Sequence, residues 1–231
     1  VGSFGNSQPF ANFLDNVSLY QSGLSPTQIT QLYNAGLESI PNSNPLPDGG
    51  LVTVVGGATL DLNNNVETIG NLTGGGNVVL NGGTLSTGNN NGNATFNGAI
   101  SGAGGVTKVG TGVFYVDGAN SYSGLTTVTG GYLVARHNSA LGSTAAGTVV
   151  NSGATLQLEN NGSDVSIPAG EALSIIGNGV GGTRGALASW TGNNTYAGPV
   201  TLTGDSMFFV QSGELNVSGV IAGVGFAVNK T

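Results

Sequence analysis

The stretch that decides the fold is ISGAGGVTKVGTGVFYVDGANSYSGLTTVTGGYL, which occupies residues 100–133. Its middle phrase, GANSYSGLTTVT, returns in altered form as GNNTYAGPVT at residues 192–201. Its opening phrase, ISGAG, returns as IAGVG at residues 221–225. Internal similarity of this kind is typical of proteins built from stacked structural repeats. The chain is therefore predicted to form a stack of similar turns.

Composition indicates short strands separated by many turns. Of the 231 residues, 43 are glycine, 38% are hydrophobic and only 6% are charged, and the mean hydropathy is +0.13. That hydrophobicity is too high for a disordered chain, and glycine does not occupy every third position as collagen requires. Asparagine, threonine and serine supply the polarity, and their side chains can hydrogen-bond to copies in adjacent turns. The composition therefore favours an all-β solenoid.

The charge balance excludes several classes of partner. The chain has 11 acidic and 4 basic residues and a net charge of −7. Four cations cannot form a phosphate-binding surface or a polybasic membrane patch, so nucleic acid is excluded as a partner. No run of about 18 apolar residues is present, and the absence of cysteine excludes disulfides and thiolate metal sites. We therefore predict no membrane insertion by this segment and no cofactor.

From Leu51 onward, short apolar runs alternate with glycine- and asparagine-rich turns. Leucines that follow glycine in related phrases lie about 24 residues, or twice that, apart along the chain. They are Leu60, Leu85, Leu133 and Leu156. This spacing predicts that residues 51–231 form seven or eight turns with these leucines stacked inside.

Residues 1–36 differ in texture from the rest of the chain. Val17 and Leu19 alternate with polar residues and predict a half-buried strand. A short helix is predicted between Ser25, as its N-cap, and Gly36, which ends it. The apolar face of this helix comprises Ile29, Leu32 and Tyr33. Residues 37–50, which contain three prolines, are predicted to be an extended linker.

The block from Ile100 to Leu133 resembles the autotransporter-associated (passenger-associated) β-strand repeat of bacterial secreted surface proteins. It contains the Ile-x-Gly-x-Gly opening, the Lys-x-Gly-x-Gly step, the Asn-x-Tyr-x-Gly-x-Thr turn and the closing Gly-x-Leu of that repeat. In the second copy the closing phrase has become Gly213-Glu-Leu215. The resemblance implies a right-handed parallel β-helix displayed outside a bacterial cell. It implies no shared chemistry, because the common part of the family is a structural and export module.

The order of motifs in residues 13–36 resembles the C-terminal end of laminin-G-like, concanavalin-type jelly-roll domains. This resemblance implies that residues 1–36 are the remnant of a lectin-like domain, most of which would precede Val1. The chain is accordingly expected to be a piece of a longer polypeptide. The strand near Val17 would then lack the sheet that it normally joins.

Few residues offer a site for metal binding or catalysis. The segment from Asp61 to Glu67 has alternating oxygen ligands, but it lacks the glycine and the late bidentate glutamate of a calcium loop. His137 is the only histidine and cannot form a metal site or a triad alone. Asp117 and Asp205 are the candidate carboxylate pair of a glycosidase, but no basic or aromatic partner recurs beside them. No metal site and no catalytic residue is therefore predicted.

Aromatic residues provide a third kind of candidate site, because their rings can stack on sugars. The candidates are Tyr115, Tyr122, Tyr196 and Trp190. Tyrosines of a repeat more commonly pack the corners of a solenoid, so both interpretations remain open. The Gly-x-Gly phrases at residues 102–104 and 179–181 lack the strand-to-helix context of a phosphate-binding loop.

The leading functional hypothesis is a non-enzymatic structural subunit of an extracellular or cell-surface bacterial fibre or stalk. An unpaired strand edge is a template for another chain, so copies of this chain are predicted to associate end to end. The N-terminal strand would be donated to a neighbouring copy, or it would fold back on its own solenoid. The predicted self-assembly residues are Val17, Leu19, Ile29, Leu32, Tyr33, Val228 and Lys230.

Two alternatives to the fibre hypothesis stay open. In the first, the chain is a fragment of a secreted, autotransporter-type adhesin passenger that binds glycans or surfaces. In the second, it is a β-helix enzyme that degrades polysaccharides. The state of the two ends of the solenoid distinguishes a polymer from an adhesin, because an adhesin solenoid is expected to be capped.

Overall fold

The computed structural model describes residues 46–231, and nearly all regular structure in this range is β-strand. The strands are β1 (Leu51–Thr53), β2 (Thr59–Asp61), β3 (Val66–Ile69), β4 (Asn71–Thr73), β5 (Asn77–Val79), β6 (Thr84–Thr87), β7 (Ala94–Phe96), β8 (Ala99–Ser101), β9 (Gly105–Lys108), β10 (Val113–Val116), β11 (Thr126–Val128), β12 (Gly131–Ala135), β13 (Thr148–Val150), β14 (Ala154–Leu158), β15 (Ser166–Ile167), β16 (Leu173–Gly177), β17 (Leu187–Ser189), β18 (Asn193–Tyr196), β19 (Val200–Val210), β20 (Glu214–Val217), β21 (Ile221–Ala222) and β22 (Val228–Lys230). A single 3₁₀ turn, Val180–Gly182, is the helical structure in the described range.

The strands pair in parallel and wind into a solenoid of about 9 turns. Sheet 1 contains, in order, β7, β10, β12, β14, β17 and the second half of β19, with β22 beyond it. Sheet 3 contains β3, β6, β9, β11, β13, β16 and the first half of β19, with β21 beyond it. Sheet 2 lies between them in chain order and contains β2, β5 and β8 in early turns and β15, β18 and β20 in later ones. The predicted all-β parallel solenoid is confirmed.

The length of a turn varies along the chain and does not keep to the predicted 24 residues. Paired residues lie 20 positions apart in early turns, as in Leu51 with Asn71 and Val106 with Thr126, and 31 apart between Leu156 and Leu187. Leu133 and Leu156 do pair with each other in sheet 1, as predicted. The other two leucines lie elsewhere: Leu60 is in sheet 2 and Leu85 is in sheet 3. The prediction that the four leucines stack in a single column is therefore wrong, because similar phrases begin strands on different faces of the solenoid.

The core consists of inward-facing columns in which each turn contributes one residue per sheet position. In sheet 1, one such column comprises Phe114, Leu133, Leu156, Leu187 and Phe208. All five are buried, and Leu156 and Leu187 are 0% exposed. Outside the core, threonine side chains join neighbouring turns, as between the hydroxyls of Thr53 and Thr73, which are 3.0 Å apart.

Lys108 lies inside the solenoid and explains the lysine of the repeat phrase. Its ammonium group donates to the carbonyl oxygens of Val109 (2.6 Å), Gly110 (3.0 Å) and Gly130 (3.2 Å). Burial lowers the pKa of Lys108 to about 8, while the three carbonyl acceptors favour the charged form. The side chain therefore joins a corner of one turn to the corner of the next.

Glycines stack where adjacent turns approach too closely for a side chain. A Cβ atom on Gly98 would overlap the carbonyl oxygen of Gly76, and one on Gly118 would overlap the carbonyl oxygen of Gly98. These positions need glycine because of the close approach of two backbones. Gly75, immediately beside this column, could carry a Cβ atom without any contact within 4 Å.

Glu67 is a buried carboxylate in the inward column of sheet 3. It pairs in register with Leu85, is 1% exposed and accepts a hydrogen bond from the backbone N–H of Leu46 at 3.0 Å. Burial raises the pKa of Glu67 from 4.5 to about 7, against the lowering effect of that hydrogen bond. The first turns therefore contain a group that titrates near neutral pH.

We expect the burial of Glu67 to make stability depend on pH. Its folded pKa lies above its unfolded pKa, so its favourable contribution is complete below pH 4.5 and is lost as pH rises through about 7. The expected loss is up to about 3 kcal/mol. Glu67→Gln should flatten this part of the profile, as measured by chemical unfolding at pH 5 and pH 8. An identical pH dependence in the parent and the variant would contradict the assignment.

Residues 1–45 lie outside the described range. The predicted strand around Val17, the helix between Ser25 and Gly36 and the jelly-roll resemblance fall there and remain predictions. In the part of the chain that is described, no helix is both long enough and apolar enough to cross a membrane.

Candidate binding groove

The outer face of sheet 1 carries polar and aromatic side chains in three adjacent columns. Alternation along β10, β12 and β14 directs every second residue outward, because Cβ atoms alternate across a strand. The first column contains Val113 and Tyr132; the second contains Tyr115, Val134 and Gln157; the third contains Asp117, Arg136, Glu159 and Trp190. Successive members of a column are about 4.8 Å apart, so their side chains are in contact range.

A long turn between β16 and β17 forms a wall beside this face. The hydroxyl of Thr155, on β14, accepts from the N–H of Val180 at 3.0 Å and donates to the carbonyl of Gly185 at 2.8 Å. Gly185 has a φ of 73°, a left-handed conformation that glycine adopts without strain. The turn is thereby fixed against the sheet, and it places Arg184 beside Trp190.

The wall and the columns together enclose an open groove of about 230 Å³. It is lined by Val113, Tyr115, Tyr132, Val134, Gln157, Glu159, Arg184 and Trp190. Apolar rings and hydrogen-bonding groups therefore converge on one concave surface, which is the usual character of a ligand site.

Arg136 is held in place by groups of the protein itself. Its guanidinium donates to Glu159 Oε1 at 2.6 Å, lies 3.8 Å from Asp117 Oδ1 and covers the ring of Tyr115 at 3.9 Å. Gln157 Nε2 donates to the second oxygen of Glu159 at 2.7 Å. Burial raises the pKa of Asp117, while the charge of Arg136 opposes this shift. The guanidinium of Arg136 therefore lies between two carboxylates and is paired most closely with Glu159.

Arg184 has a different environment from Arg136. Its guanidinium lies 5.2 Å from the ring centre of Trp190 and 5.8 Å from that of Phe209, which are distances of cation–π contact. The two rings are themselves 6.4 Å apart. Among residues 46–231, Arg184 forms no ion pair with a carboxylate. It is thus a positioned cation whose hydrogen-bond donors remain available to a ligand.

The sequence-derived sugar-stacking candidates separate into two groups. Tyr115 and Trp190 line the groove. Tyr122 and Tyr196 are buried in the core, and the Tyr122 hydroxyl lies 2.6 Å from the hydroxyl of Thr126. These two tyrosines therefore pack the interior of the solenoid and cannot meet a ligand.

Four polar or aromatic groove residues were not among the sequence-derived candidates. They are Tyr132, Gln157, Glu159 and Arg184. Tyr132 could have been found, since it alternates with buried Leu133 in a predicted strand phrase. The position of Arg184 could not, because it depends on how an irregular turn folds over a neighbouring sheet.

The other sequence-derived sites are not assembled by the fold. Asp61 accepts from the amide of Asn81 at 2.9 Å, whereas Glu67 is buried in sheet 3, so the two do not share a cation site. His137 Nδ1 accepts from the N–H of Ser139 at 3.0 Å and belongs to a local turn. Within the described range, no group of three or more His, Cys, Asp or Glu side chains is placed to hold a metal ion.

Asp117 and Asp205 do not form a facing pair. Asp117 lies beside Arg136 and accepts from the amide of Asn161 at 3.2 Å. Asp205 accepts from the N–H of Ala227 at 2.8 Å, in a later turn. The two carboxylates have separate partners, so the arrangement lacks the opposed acid pair of a glycosidase.

Most residues assigned to self-assembly lie outside the described range. These are Val17, Leu19, Ile29, Leu32 and Tyr33. Val228 and Lys230 lie in β22, where they pair with Ser206 and Phe208 of β19. End-to-end association of the chain remains a prediction.

Two segments of the chain, residues 106–135 and 187–204, match the passenger-associated-transport-repeat family. They overlap the two copies of the phrase found in the sequence.

The chain is also similar to the adhesin BmaC autotransporter of Brucella suis biovar 1 (strain 1330), with 32% identity over 177 residues. The similarity covers 71% of this chain but 5% of that relative, so the chain spans a small fraction of its length. No solved structure matches the chain significantly.

Proposed function

We propose that the chain is a surface-displayed or secreted segment of an autotransporter-type adhesin passenger. In this proposal the solenoid is a rigid support, and the groove on sheet 1 is its ligand-binding surface. The passenger-associated repeats and the adhesin relative support the class of protein. The concave cluster of rings, amide and guanidinium supports the position of the binding surface.

The same geometry favours binding over catalysis. The two carboxylates nearest the groove, Asp117 and Glu159, both interact with Arg136. A glycosidase needs one protonated and one ionised carboxyl on opposite sides of the scissile bond. Here the two acids lie in one column on either side of a guanidinium, where neither faces the other across a cleft. We therefore propose a non-enzymatic role.

Removing an aromatic side chain of the groove should weaken adhesion strongly without unfolding the solenoid. Tyr132→Ala and Trp190→Ala should each reduce binding of beads coated with the purified chain to epithelial cells by at least about tenfold, since central aromatic anchors commonly contribute 2 kcal/mol or more. The measurement is the number of beads retained per cell under constant flow.

Phe226→Ala is the matched control, because Phe226 is an exposed aromatic residue outside the groove. It should leave retention unchanged, and all three variants should melt near the parent temperature. Equal retention of the parent, both groove variants and the control would contradict the proposed function.

A further inference from the structure

We propose that the groove recognises a glycan through one acidic sugar, whose carboxylate pairs with Arg184 while a neighbouring sugar packs against Tyr132 and Trp190. This proposal rests on the proposed function, because it names the ligand class of the same surface. It also assigns a specific role to the turn between β16 and β17, which carries Arg184.

The aromatic residues provide surfaces for sugar rings. Pyranose rings present flat faces of C–H groups, which pack against aromatic rings while their hydroxyls stay hydrated or hydrogen-bonded. In the groove, Arg136 covers the ring of Tyr115 at 3.9 Å, so that ring is already in contact with the protein. Tyr132 has no such cation contact among residues 46–231, and Arg184 lies farther from the ring of Trp190, at 5.2 Å, so these two lining rings offer more surface to a ligand.

The polar groups of the groove complement sugar hydroxyls. Gln157 lines the groove and uses its Nε2 to hold Glu159, so its Oε1 is a further acceptor. The indole N–H of Trp190 and the hydroxyl of Tyr132 add donors. Donors and acceptors placed around apolar rings match the alternating hydroxyls and C–H faces of a sugar better than they match a purely apolar ligand.

The charge of the groove supports a carboxylate on the ligand. Arg136 is engaged by Glu159 and lies near Asp117, whereas Arg184 forms no ion pair among residues 46–231. A planar guanidinium pairs with a carboxylate through two parallel hydrogen bonds. Contact with Trp190 and Phe209 holds the guanidinium in place and lowers the entropic cost of forming that pair.

The net charge of the chain limits how acidic the ligand is. At −7, the protein repels a polyanion, and the groove offers one unpaired cation. An isolated acidic sugar next to neutral ones satisfies both conditions. The groove volume of about 230 Å³ is below the ~300–1,000 Å³ of enclosed small-molecule pockets, so a chain lying along the surface fits better than an engulfed metabolite.

The test is a printed array of sialyl- and uronyl-oligosaccharides, each beside its own methyl ester. Esterification removes the negative charge and leaves the sugar otherwise unchanged. The parent protein should bind at least one acid at least about tenfold more tightly than its ester. Arg184→Gln should remove that preference, whereas Arg184→Lys should keep part of it, because lysine retains the charge and loses the bidentate geometry.

Lys230→Gln is the control for a general change of charge, because Lys230 is exposed and lies outside the groove. It should preserve the preference for the acid. Melting temperatures of all variants identify any loss of folding, and Arg184→Lys keeps the test valid if the glutamine variant is unstable.

Equal binding of acids and esters by the parent would overturn this inference. So would a preference that persists in Arg184→Gln. The proposed function fails by a different result, namely unchanged cell adhesion of Tyr132→Ala and Trp190→Ala, so the two failures are distinguishable.

Discussion

Replacing Leu156 by aspartate is expected to unfold at least two adjacent turns of the solenoid. Leu156 is 0% exposed and pairs in register with Leu133 on one side and Leu187 on the other. The variant places a carboxylate without a partner between two leucines in a dry column. Burial of an unpaired charge together with loss of the leucine contacts is expected to cost on the order of 5 kcal/mol or more.

The measurement is circular dichroism with thermal and chemical unfolding of the parent and of Leu156→Asp. Leu51→Asp is the matched control, because Leu51 is 62% exposed and the substitution places the same charge in a strand but outside the core. The control should unfold close to the parent. If Leu156→Asp unfolded at the same denaturant concentration as the parent, the register of sheet 1 would be wrong.

The second large effect is expected from adding one methyl group to the glycine column. In Gly118→Ala, the new Cβ would overlap the carbonyl oxygen of Gly98, so one of two adjacent turns must move. Overpacking of this kind usually lowers the free energy of unfolding by about 1–3 kcal/mol. A clash with the backbone is expected to cost about 3 kcal/mol, because no side chain can rotate away. The variant should lose this amount in the free energy of unfolding.

Gly75→Ala tests whether the effect comes from the close approach. A Cβ atom on Gly75 would meet nothing within 4 Å, so the same substitution there should change the free energy of unfolding by less than about 1 kcal/mol. Equal destabilisation by the two substitutions would contradict the assignment of the need for glycine to contact between turns.

The fold was predictable because its repeat phrases have a distinctive composition. Glycine at close-approach positions such as Gly118 and the lysine that joins two corners, Lys108, both follow from stacking identical turns. The register was less predictable, since a phrase of glycine followed by an apolar residue can open a strand on any of three sheets. Leu60 and Leu85 show this, because they lie on different sheets from Leu133.

The groove was predictable only in part. Trp190 and Tyr115 were candidates on the basis of residue type, but so were Tyr122 and Tyr196, which the fold buries. Sequence alone does not determine whether a repeat tyrosine points into the core or outward, because it does not show which alternate residues of the strand face inward. Arg184 reaches the groove because it lies in the long turn between β16 and β17. The position of such a turn depends on tertiary contacts that the sequence pattern does not show.

Trp190 provides the most direct test of the central claim that this groove binds the ligand. It is the only tryptophan of the 231 residues, so tryptophan emission reports on the groove alone. The measurement is a fluorescence titration of the parent with the acidic oligosaccharide that binds best on the array, combined with quenching by acrylamide. The account predicts a saturable change in emission and protection of Trp190 from the quencher. The dissociation constant from this titration should equal the one measured by calorimetry. Binding detected by calorimetry with unchanged emission and unchanged quenching would contradict it.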